Sequence, residues 1–443
     1  MFRSLLTCCI AAAILTNFSG CTSGSGKTSG DSATVTNPTP VHRTEGHPDW
    51  IMEGNIYEVN VRQYTPEGTF KAFEKSLQRL KDMGVQTLWF MPINPISKTD
   101  RKGQMGSYYA VADYTAVNPE FGTLDDWKSL VRHAHDMGFK VILDWVPNHS
   151  GADNRWLTQH PDFYVKDSTG KAAVPYDWTD TRKLNYGNPA LQDSMIDDMK
   201  FWIASSDIDG FRCDVAGDVP DEFWKKCISD LKNVKADLFM LAEAEKPSLH
   251  LDGFDATYGW RMFAMMKNVA KGQRNALALD SVRTYIDTAF PANALKLAFT
   301  SNHDENSWNK ADYGTMPGAV HAPFAVFTQT MPGDIPLIYS GQEEPVLDSI
   351  SFFYKDPIHF GHFARAKFYH TLLELRKTNP ALAANAKFQK VQLGDPKAVY
   401  AYTREGGGKK VMVILNLSAR PQQIRINDAA LLGNPLNVFM GKN

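Results

Sequence analysis

The sequence predicts an α/β fold: a (β/α)8 TIM barrel with a small inserted lobe after strand 3 and a C-terminal all-β domain. From Asn55 onward, short apolar runs alternate with amphipathic helical stretches over about 300 residues, and eight such runs can be counted. No Gly-rich phosphate turn follows the first run, which disfavours the competing open doubly wound sheet. Beyond Pro380 the pattern changes to strands alone.

The barrel strands and their helices can be placed in chain order. Thr69 and Thr123 are predicted N-caps of the first two long helices, and Gly84 and Gly138 are predicted to end them. The predicted strands are Ile56–Val61, Val85–Met91, Lys140–Trp145, Gly210–Cys213, Leu238–Leu241, a run around Phe254–Thr257, Leu297–Ser301 and Pro336–Ser340.

Two segments depart from this alternation. Residues 149–186 show no clear helix but many Asp, Trp, Tyr, Pro and Gly residues, and we expect a lobe that overhangs the barrel mouth. The barrel itself is expected to span residues 47–378. Residues 379–443 are expected to form a C-terminal β-sandwich, complete or truncated, with strands Val399–Thr403, Lys410–Leu417 and Gln422–Ile426.

The N-terminus is typical of an exported protein. A charged start at Arg3 and a short apolar run at Leu5–Leu15 precede Ser19, Gly20 and Cys21. This resembles a bacterial lipoprotein signal, with residues 1–20 removed and Cys21 lipidated; a plain secretory peptide is the alternative. Residues 21–46 are then expected to be a flexible tether. The expected location is the cell envelope, periplasmic or at the outer-membrane surface, with membrane contact only through the lipid.

Composition excludes some partners. A formal net charge of −2 leaves no basic excess for neutralising phosphates, so nucleic acid is not an expected partner. After removal of the leader, three cysteines are left, too few for a disulfide framework or a metal cluster.

The most informative stretch runs from Asp207 to Asp218. Asp214 stands where the predicted strand Gly210–Cys213 opens into a loop, which is where α/β barrels place reacting groups. Arg212 projects to the same side, and its charge should keep Asp214 ionised and nucleophilic. The alternative is a purely structural Arg–Asp pair.

Three other strand ends carry polar clusters that should converge on the same mouth. They supply Asp144 to His149, Glu243, and Asn302-His303-Asp304. An ionised Asp214 and a protonated Glu243, buried among like charges, fit retaining glycoside cleavage, for which the two carboxyl groups should lie about 5–5.5 Å apart. His303 and Asp304 would hold sugar hydroxyls, and Glu245 is the rival acid.

These clusters, in order, resemble the four motifs of the α-amylase family of glycoside hydrolases. The resemblance covers roughly Trp50 to Leu417. It implies Asp214 as nucleophile, Glu243 as general acid/base and Asp304 as transition-state stabiliser. It further implies an α-glucan or maltooligosaccharide substrate, with sugar contacts from Tyr109, His149, Arg212 and His303, and with Asp144 as a structural partner of Arg212.

The chain also departs from the family pattern. Asp218 stands where the family often has a His that helps to hold calcium, although Asn148 matches another calcium ligand. No cofactor is required for the expected chemistry, and a structural calcium is possible but unsupported. A catalytically silent glucan-binding or transport-accessory barrel and a transglycosidase are the alternatives to a hydrolase.

Overall fold

In the computed structural model, eight parallel strands close into a barrel, which confirms the predicted fold class. The structure describes residues 43–440 apart from 311–319, 345, 347, 428–430 and 432–435. The barrel strands, in order, are Ile56–Val59, Thr87–Phe90, Lys140–Trp145, Gly210–Cys213, Phe239–Ala242, Ala256–Tyr258, Leu295–Ala298 and Asp334–Tyr339.

Helices surround this barrel. The capping prediction is confirmed at both threonines, because Thr69 accepts from the Ala72 N–H and Thr123 forms a capping box with Asp126. The longer helices are Leu124–Asp136, Pro189–Ser206, Asp221–Val234, Trp260–Ala270, Ala278–Ala289, His321–Thr330 and Ala366–Thr378, and shorter ones are Asp49–Met52, Val61–Tyr64, Phe70–Glu74, Leu77–Met83, Ser248–Leu251 and His303–Asn309.

Two apolar layers hold the barrel. One fills its interior, where Trp89, Ile142 and Phe239 are fully buried. The other lies between the strands and the surrounding helices. Strand 4 can lie close to strand 5 because Gly210 lacks a Cβ, which would stand 2.2 Å from the Phe239 carbonyl oxygen. The strand that carries Arg212 is therefore tightly fixed.

The lobe after strand 3 has more regular structure than its sequence predicted. Strands His149–Gly151 and Thr181–Lys183 pair antiparallel at its base. A short helix at Trp156–Gln159 and a 3-10 turn at Pro161–Phe163 lie between them. These elements are a single turn each, too short to show a helical period in the sequence.

The C-terminal strands form an antiparallel sheet, Lys387–Val391, Val399–Gly406 and Lys409–Asn416. Tyr402 and Leu415 pack it against barrel helices through Phe327. The predicted strand Gln422–Ile426 is wrong: this segment forms no ladder, and its Ile424 and Ile426 side chains pack on a small cluster around Val399 instead. The alternating apolar side chains of this segment are buried by packing, although its backbone does not pair with a neighbouring strand.

The N-terminal predictions are mostly untested. The signal peptide, Cys21 and residues 21–42 lie outside the described residues. Residues 43–46 were expected to be flexible but form the first strand and turn of a hairpin, Arg43–Thr44 with His47–Pro48. Gly46 takes a left-handed turn conformation and His47 is buried against Asp255, which explains the order. Among the described residues, no helix has the length and apolar character to cross a membrane.

Candidate active site

A cavity of about 450 Å³ opens at the carboxyl ends of the barrel strands. Of the predicted site residues, Tyr109, His149, Asp214, Glu243, His303 and Asp304 line it. Arg212 lies beneath its floor, fully buried. The structure therefore brings together all seven predicted catalytic and sugar-binding residues.

Arg212 is the centre of the floor. Its Nη1 donates to Asp144 Oδ1 at 2.9 Å and to Asp214 Oδ1 at 3.0 Å. Its Nη2 lies 3.0 Å from Glu243 Oε1, and its Nε donates to the Tyr258 hydroxyl at 3.0 Å. One guanidinium thus fixes three carboxylates, and it holds the predicted nucleophile and the predicted acid on the same group.

The electrostatics of Asp214 differ from the sequence expectation. Burial and the neighbouring Glu243 raise the pKa of Asp214 well above its ordinary value, and Arg212 only opposes this rise. Asp144 shows the same effect, because burial raises its pKa to about 6. One guanidinium does not balance three buried carboxyl groups, which accounts for the raised pKa of both Asp214 and Asp144.

The loop after Asp214 is strained in a way that orients Glu243. Val215 has φ +44°, a left-handed conformation that is costly for a β-branched residue. In this conformation the Val215 N–H donates to Glu243 Oε2 at 2.9 Å. The backbone strain therefore serves to aim a hydrogen-bond donor at the second carboxyl group.

The two imidazoles of the site carry different charges. His303 Nδ1 lies 2.5 Å from Glu58 Oε1, and its Nε2 lies 2.8 Å from the Tyr109 hydroxyl. Burial lowers the pKa of His303, but Asp304 and Glu58 outweigh it and raise the pKa to about 9. Burial and the charge of Lys183 instead lower the pKa of His149 to about 3. At neutral pH the cavity thus has a cationic and a neutral ring.

The rival acid, Glu245, lies elsewhere. It is absent from the described residues that line the cavity, and its Oε2 accepts from the Arg261 N–H at 2.8 Å. Asp144 is fully buried and accepts from Arg212, Tyr109 and Trp89, as a structural partner of the guanidinium should.

Sequence reasoning missed several site residues. Glu58 had a signal, since it is a charged residue inside the apolar strand Ile56–Val59, and it is fully buried behind His303. Trp178 and Phe352 line the cavity from two loops, and Trp308 lines it from the helix His303–Asn309. No local pattern distinguishes these aromatic residues from core residues.

The residues around Asn148 do not fit a calcium ion. The Lys183 ammonium contacts Asn148 Oδ1, so a cationic side chain already takes the oxygen that would coordinate the metal. Calcium requires six to eight oxygen ligands. In the part of the chain that the structure describes, no group of three or more His, Cys, Asp or Glu side chains could hold a metal ion.

Known proteins share this architecture. The model of the alpha amylase catalytic domain matches residues 42–182 and 174–353. The alpha-amylase MalA of Haloarcula japonica is 27% identical over 396 residues, which cover 85% of this chain but only 57% of MalA.

Two solved structures are similar along most of their length. An alpha-amylase from Lactobacillus plantarum has a TM-score of 0.79 at 29% identity, covering 88% of this chain and 94% of that chain. The noncanonic maltogenic alpha-amylase AmyB from Thermotoga neapolitana has a TM-score of 0.76 at 29% identity, covering 83% and 86%. Because the family model spans more than half of the sequence, this chain belongs to the alpha-amylase catalytic domain family.

Proposed function

We propose that this protein is a retaining glycoside hydrolase that cleaves α-glucosidic bonds of starch-like glucans or maltooligosaccharides through a covalent glycosyl intermediate on Asp214. One observation carries the proposal: Asp214 and Glu243 are held by a single buried guanidinium at the floor of an open cavity. Retaining glycosidases need two neighbouring carboxyl groups, about 5–5.5 Å apart, because one attacks the carbon whose bond the other helps to break. The alpha-amylase names of the relatives support the α-glucan as substrate.

In the first step, an Asp214 oxygen forms a bond to the anomeric carbon while the bond from that carbon to the leaving sugar oxygen breaks. Glu243 gives its proton to that oxygen. The raised pKa of Asp214 means that the charge of its carboxylate is poorly stabilised by its surroundings, which makes the ionised form a better nucleophile.

In the second step, Glu243 removes a proton from water as the water oxygen bonds to the anomeric carbon, and Asp214 leaves as a carboxylate. A sugar hydroxyl in place of water would give transglycosylation. The same residues serve both outcomes, so a transglycosidase is the second candidate function.

The remaining predicted residues would hold the cleaved sugar. Asp304 is the most accessible carboxylate of the cluster, with 36% of its side chain exposed, and can accept from sugar hydroxyls. The cationic His303 can donate to an oxygen, and the neutral His149 can either donate or accept. The Tyr109 ring, parallel to His303 within 23°, offers an apolar face to the sugar ring.

The test of this function is to measure the reducing sugar released from soluble starch and from maltoheptaose. The proteins compared are the wild type, Asp214→Asn and Glu243→Gln. We expect reducing sugar from the wild type and a loss of about 10⁴-fold or more in kcat for Asp214→Asn. Glu243→Gln should regain activity on a substrate with an acidic aryl leaving group, which needs no proton.

Glu245→Gln is the matched control and should retain activity. Equal activity of Asp214→Asn and the wild type would refute the nucleophile assignment. No release by the wild type would favour the catalytically silent, glucan-binding alternative. The products from maltoheptaose also separate hydrolysis, which gives fragments shorter than the substrate, from transfer, which gives longer ones.

We also propose that the protein is exported and anchored to the bacterial envelope through a lipid on Cys21. The support is the N-terminal sequence pattern. Wild-type protein expressed with labelled fatty acid should carry the label and sediment with membranes, whereas Cys21→Ser should carry none. Label-free wild-type protein in the soluble fraction would exclude the anchor.

A further inference from the structure

The lobe and the loop after strand 2 are joined at the cavity by an ion pair. Lys102 lines the cavity from that loop, and Asp180 lines it from the lobe. The Lys102 Nζ lies 3.6 Å from Asp180 Oδ1 and donates to the Asp177 carbonyl oxygen at 3.3 Å. The Asp180 side chain is only 3% exposed, so this carboxylate depends on its cation more than a surface carboxylate does.

The same loop is fixed to the lobe at further positions. The Arg182 guanidinium donates to Asp100 Oδ2 at 2.7 Å. Asp153, also in the lobe, accepts from the backbone N–H groups of Lys98 and Thr99 at 2.8 and 3.0 Å. The contact between loop and lobe is therefore a fixed part of the structure and does not depend on a single long side chain.

On its other side the loop after strand 2 contacts the segment after strand 8. The Met105 N–H donates to the Phe353 carbonyl oxygen at 2.9 Å. A Cβ on Gly103 would stand 2.5 Å from the Phe353 Cβ, so only glycine allows this close approach. The Phe353 ring lies 5.9 Å from that of Trp308, on the helix after strand 7. Contacts thus run without a break from the lobe to that helix.

Three segments, residues 97–106, 177–181 and 352–353, form what we call the joined wall. In the closed barrel, strand 5 lies opposite strand 1, and strands 2 and 8 flank strand 1. Glu243 follows strand 5, so the joined wall stands across the mouth from the acid. Because the acid protonates the oxygen of the leaving sugar, the leaving sugar lies on the Glu243 side. The glycone therefore extends towards the joined wall.

We propose that the joined wall ends the substrate groove on the glycone side, so that the enzyme removes short units from the non-reducing ends of α-glucans and does not cut inside chains. This inference rests on the proposed function. A chain that continued past the wall would have to displace Lys102 from the buried Asp180 carboxylate, which is costly. A cavity of about 450 Å³ is of the size that encloses a small molecule.

Maltoheptaose with a fluorescent label at its reducing end tests this proposal. It is used in two forms, one with a free non-reducing end and one whose terminal 4- and 6-hydroxyl groups carry a benzylidene acetal. From the free form, the wild type should first give labelled product of one predominant length, because every cut lies at a fixed distance from the chain end. The blocked form should be cleaved about a hundredfold more slowly, because its end no longer fits against the wall.

Asp100→Ala/Lys102→Ala removes both ion pairs between the loop and the lobe. We expect this double variant to cleave the blocked form about tenfold faster relative to the free form than the wild type does, and to give labelled products of several lengths. Lys102→Arg keeps the cation and should behave as the wild type. Lys171→Ala, at an exposed lobe position outside the cavity lining, is the control and should change nothing.

A wild type that cleaves both forms at similar rates, or that gives labelled products of several lengths from the start, overturns the inference while leaving the hydrolase intact. A double variant that rejects the blocked form as strongly as the wild type does overturns the role of the two ion pairs. No cleavage of the free form by the wild type overturns the proposed function itself.

Discussion

Two clusters of buried charged side chains lie at opposite ends of the barrel, and their arginines bind different partners. At the carboxyl ends of the strands, Arg212 faces three carboxyl groups, and the cavity above them measures about 450 Å³. At the other end, Arg376 and Arg404 are fully buried and donate mainly to backbone carbonyl oxygens.

Both clusters contain a carboxyl group with a raised pKa. Burial raises the pKa of Asp334, at the start of strand 8, to about 7 although four cationic side chains oppose it. The cavity that touches Asp334 holds only about 10 Å³, room for about one water molecule. A perturbed pKa therefore does not by itself indicate a catalytic site; an open cavity beside paired carboxyl groups does.

The largest expected effect is on activity, and it distinguishes Asp214 from Asp334. Asp214→Asn should lower kcat by about 10⁴-fold or more yet keep or raise Tm, because it removes a poorly stabilised charge beside Glu243. Asp334→Asn removes a carboxylate whose pKa is raised in the same direction, so it too should keep or raise Tm, but it should keep kcat because Asp334 lies away from the open cavity. Calorimetry and starch hydrolysis on the same samples measure both. A loss of kcat in Asp334→Asn as large as that in Asp214→Asn would contradict this distinction.

The second effect concerns the cluster at the closed end. Arg404, on the C-terminal sheet, donates to the carbonyls of Thr330, Ala383 and Ala386 at 2.5, 2.7 and 3.1 Å. Arg404→Ala leaves these acceptors without their donor, and we expect a loss of about 3 kcal/mol in the free energy of unfolding and about 3–4 °C in Tm. Lys387→Ala, an exposed position on the same sheet, is the control. A change below 1 °C would show that the sheet is not held by this contact.

The third effect is a pH dependence at the open end. The pKa of His303 is raised to about 9 from an unfolded value of about 6.5. Its stabilising contribution is therefore fully present below pH 6.5 and is lost as the pH rises through 9. The Tm difference between the wild type and His303→Gln should shrink between these limits. A difference that stays constant with pH would contradict the ion pair with Glu58.

The smallest expected effect is the response to chelation. Since Lys183 contacts Asn148 where a metal would bind, EDTA should change the wild-type Tm and activity by less than about 1 °C and about 10%. Lys183→Ala should lower Tm, and the exposed Lys171→Ala should not. A fall of several degrees on chelation would show that the protein holds a structural metal ion.

The sequence predicted the site best where a reactive side chain directly follows a recognisable strand. Asp214, Glu243 and His303 each follow an apolar run, so the rule that barrel strands present their carboxyl ends at one mouth was enough to bring them together. Capping residues such as Thr123 could also be predicted from the sequence, because their hydrogen-bond partners lie three residues away.

What the sequence did not predict depends on contacts far apart in the chain. Glu58 meets His303 across 245 positions, and Lys183 meets Asn148 across 35 positions. The short helices of the lobe form, and Gln422–Ile426 forms no strand, because of packing against other parts of the chain. An alternating pattern of apolar residues does not report such packing. The same holds for Trp308, whose exposure follows from the fold.

The central claim is that Asp214, held with Glu243 on the Arg212 guanidinium, is the nucleophile. The most direct test is to trap the covalent glycosyl intermediate on the protein. A fluorinated maltosyl fluoride, which glycosylates a retaining enzyme faster than the product is hydrolysed, should add one maltosyl unit to the protein, and peptide mapping should place it on Asp214. Asp214→Asn should take up none. Labelling of Glu243 or of any other residue, or an active wild type that never becomes labelled, would contradict the account.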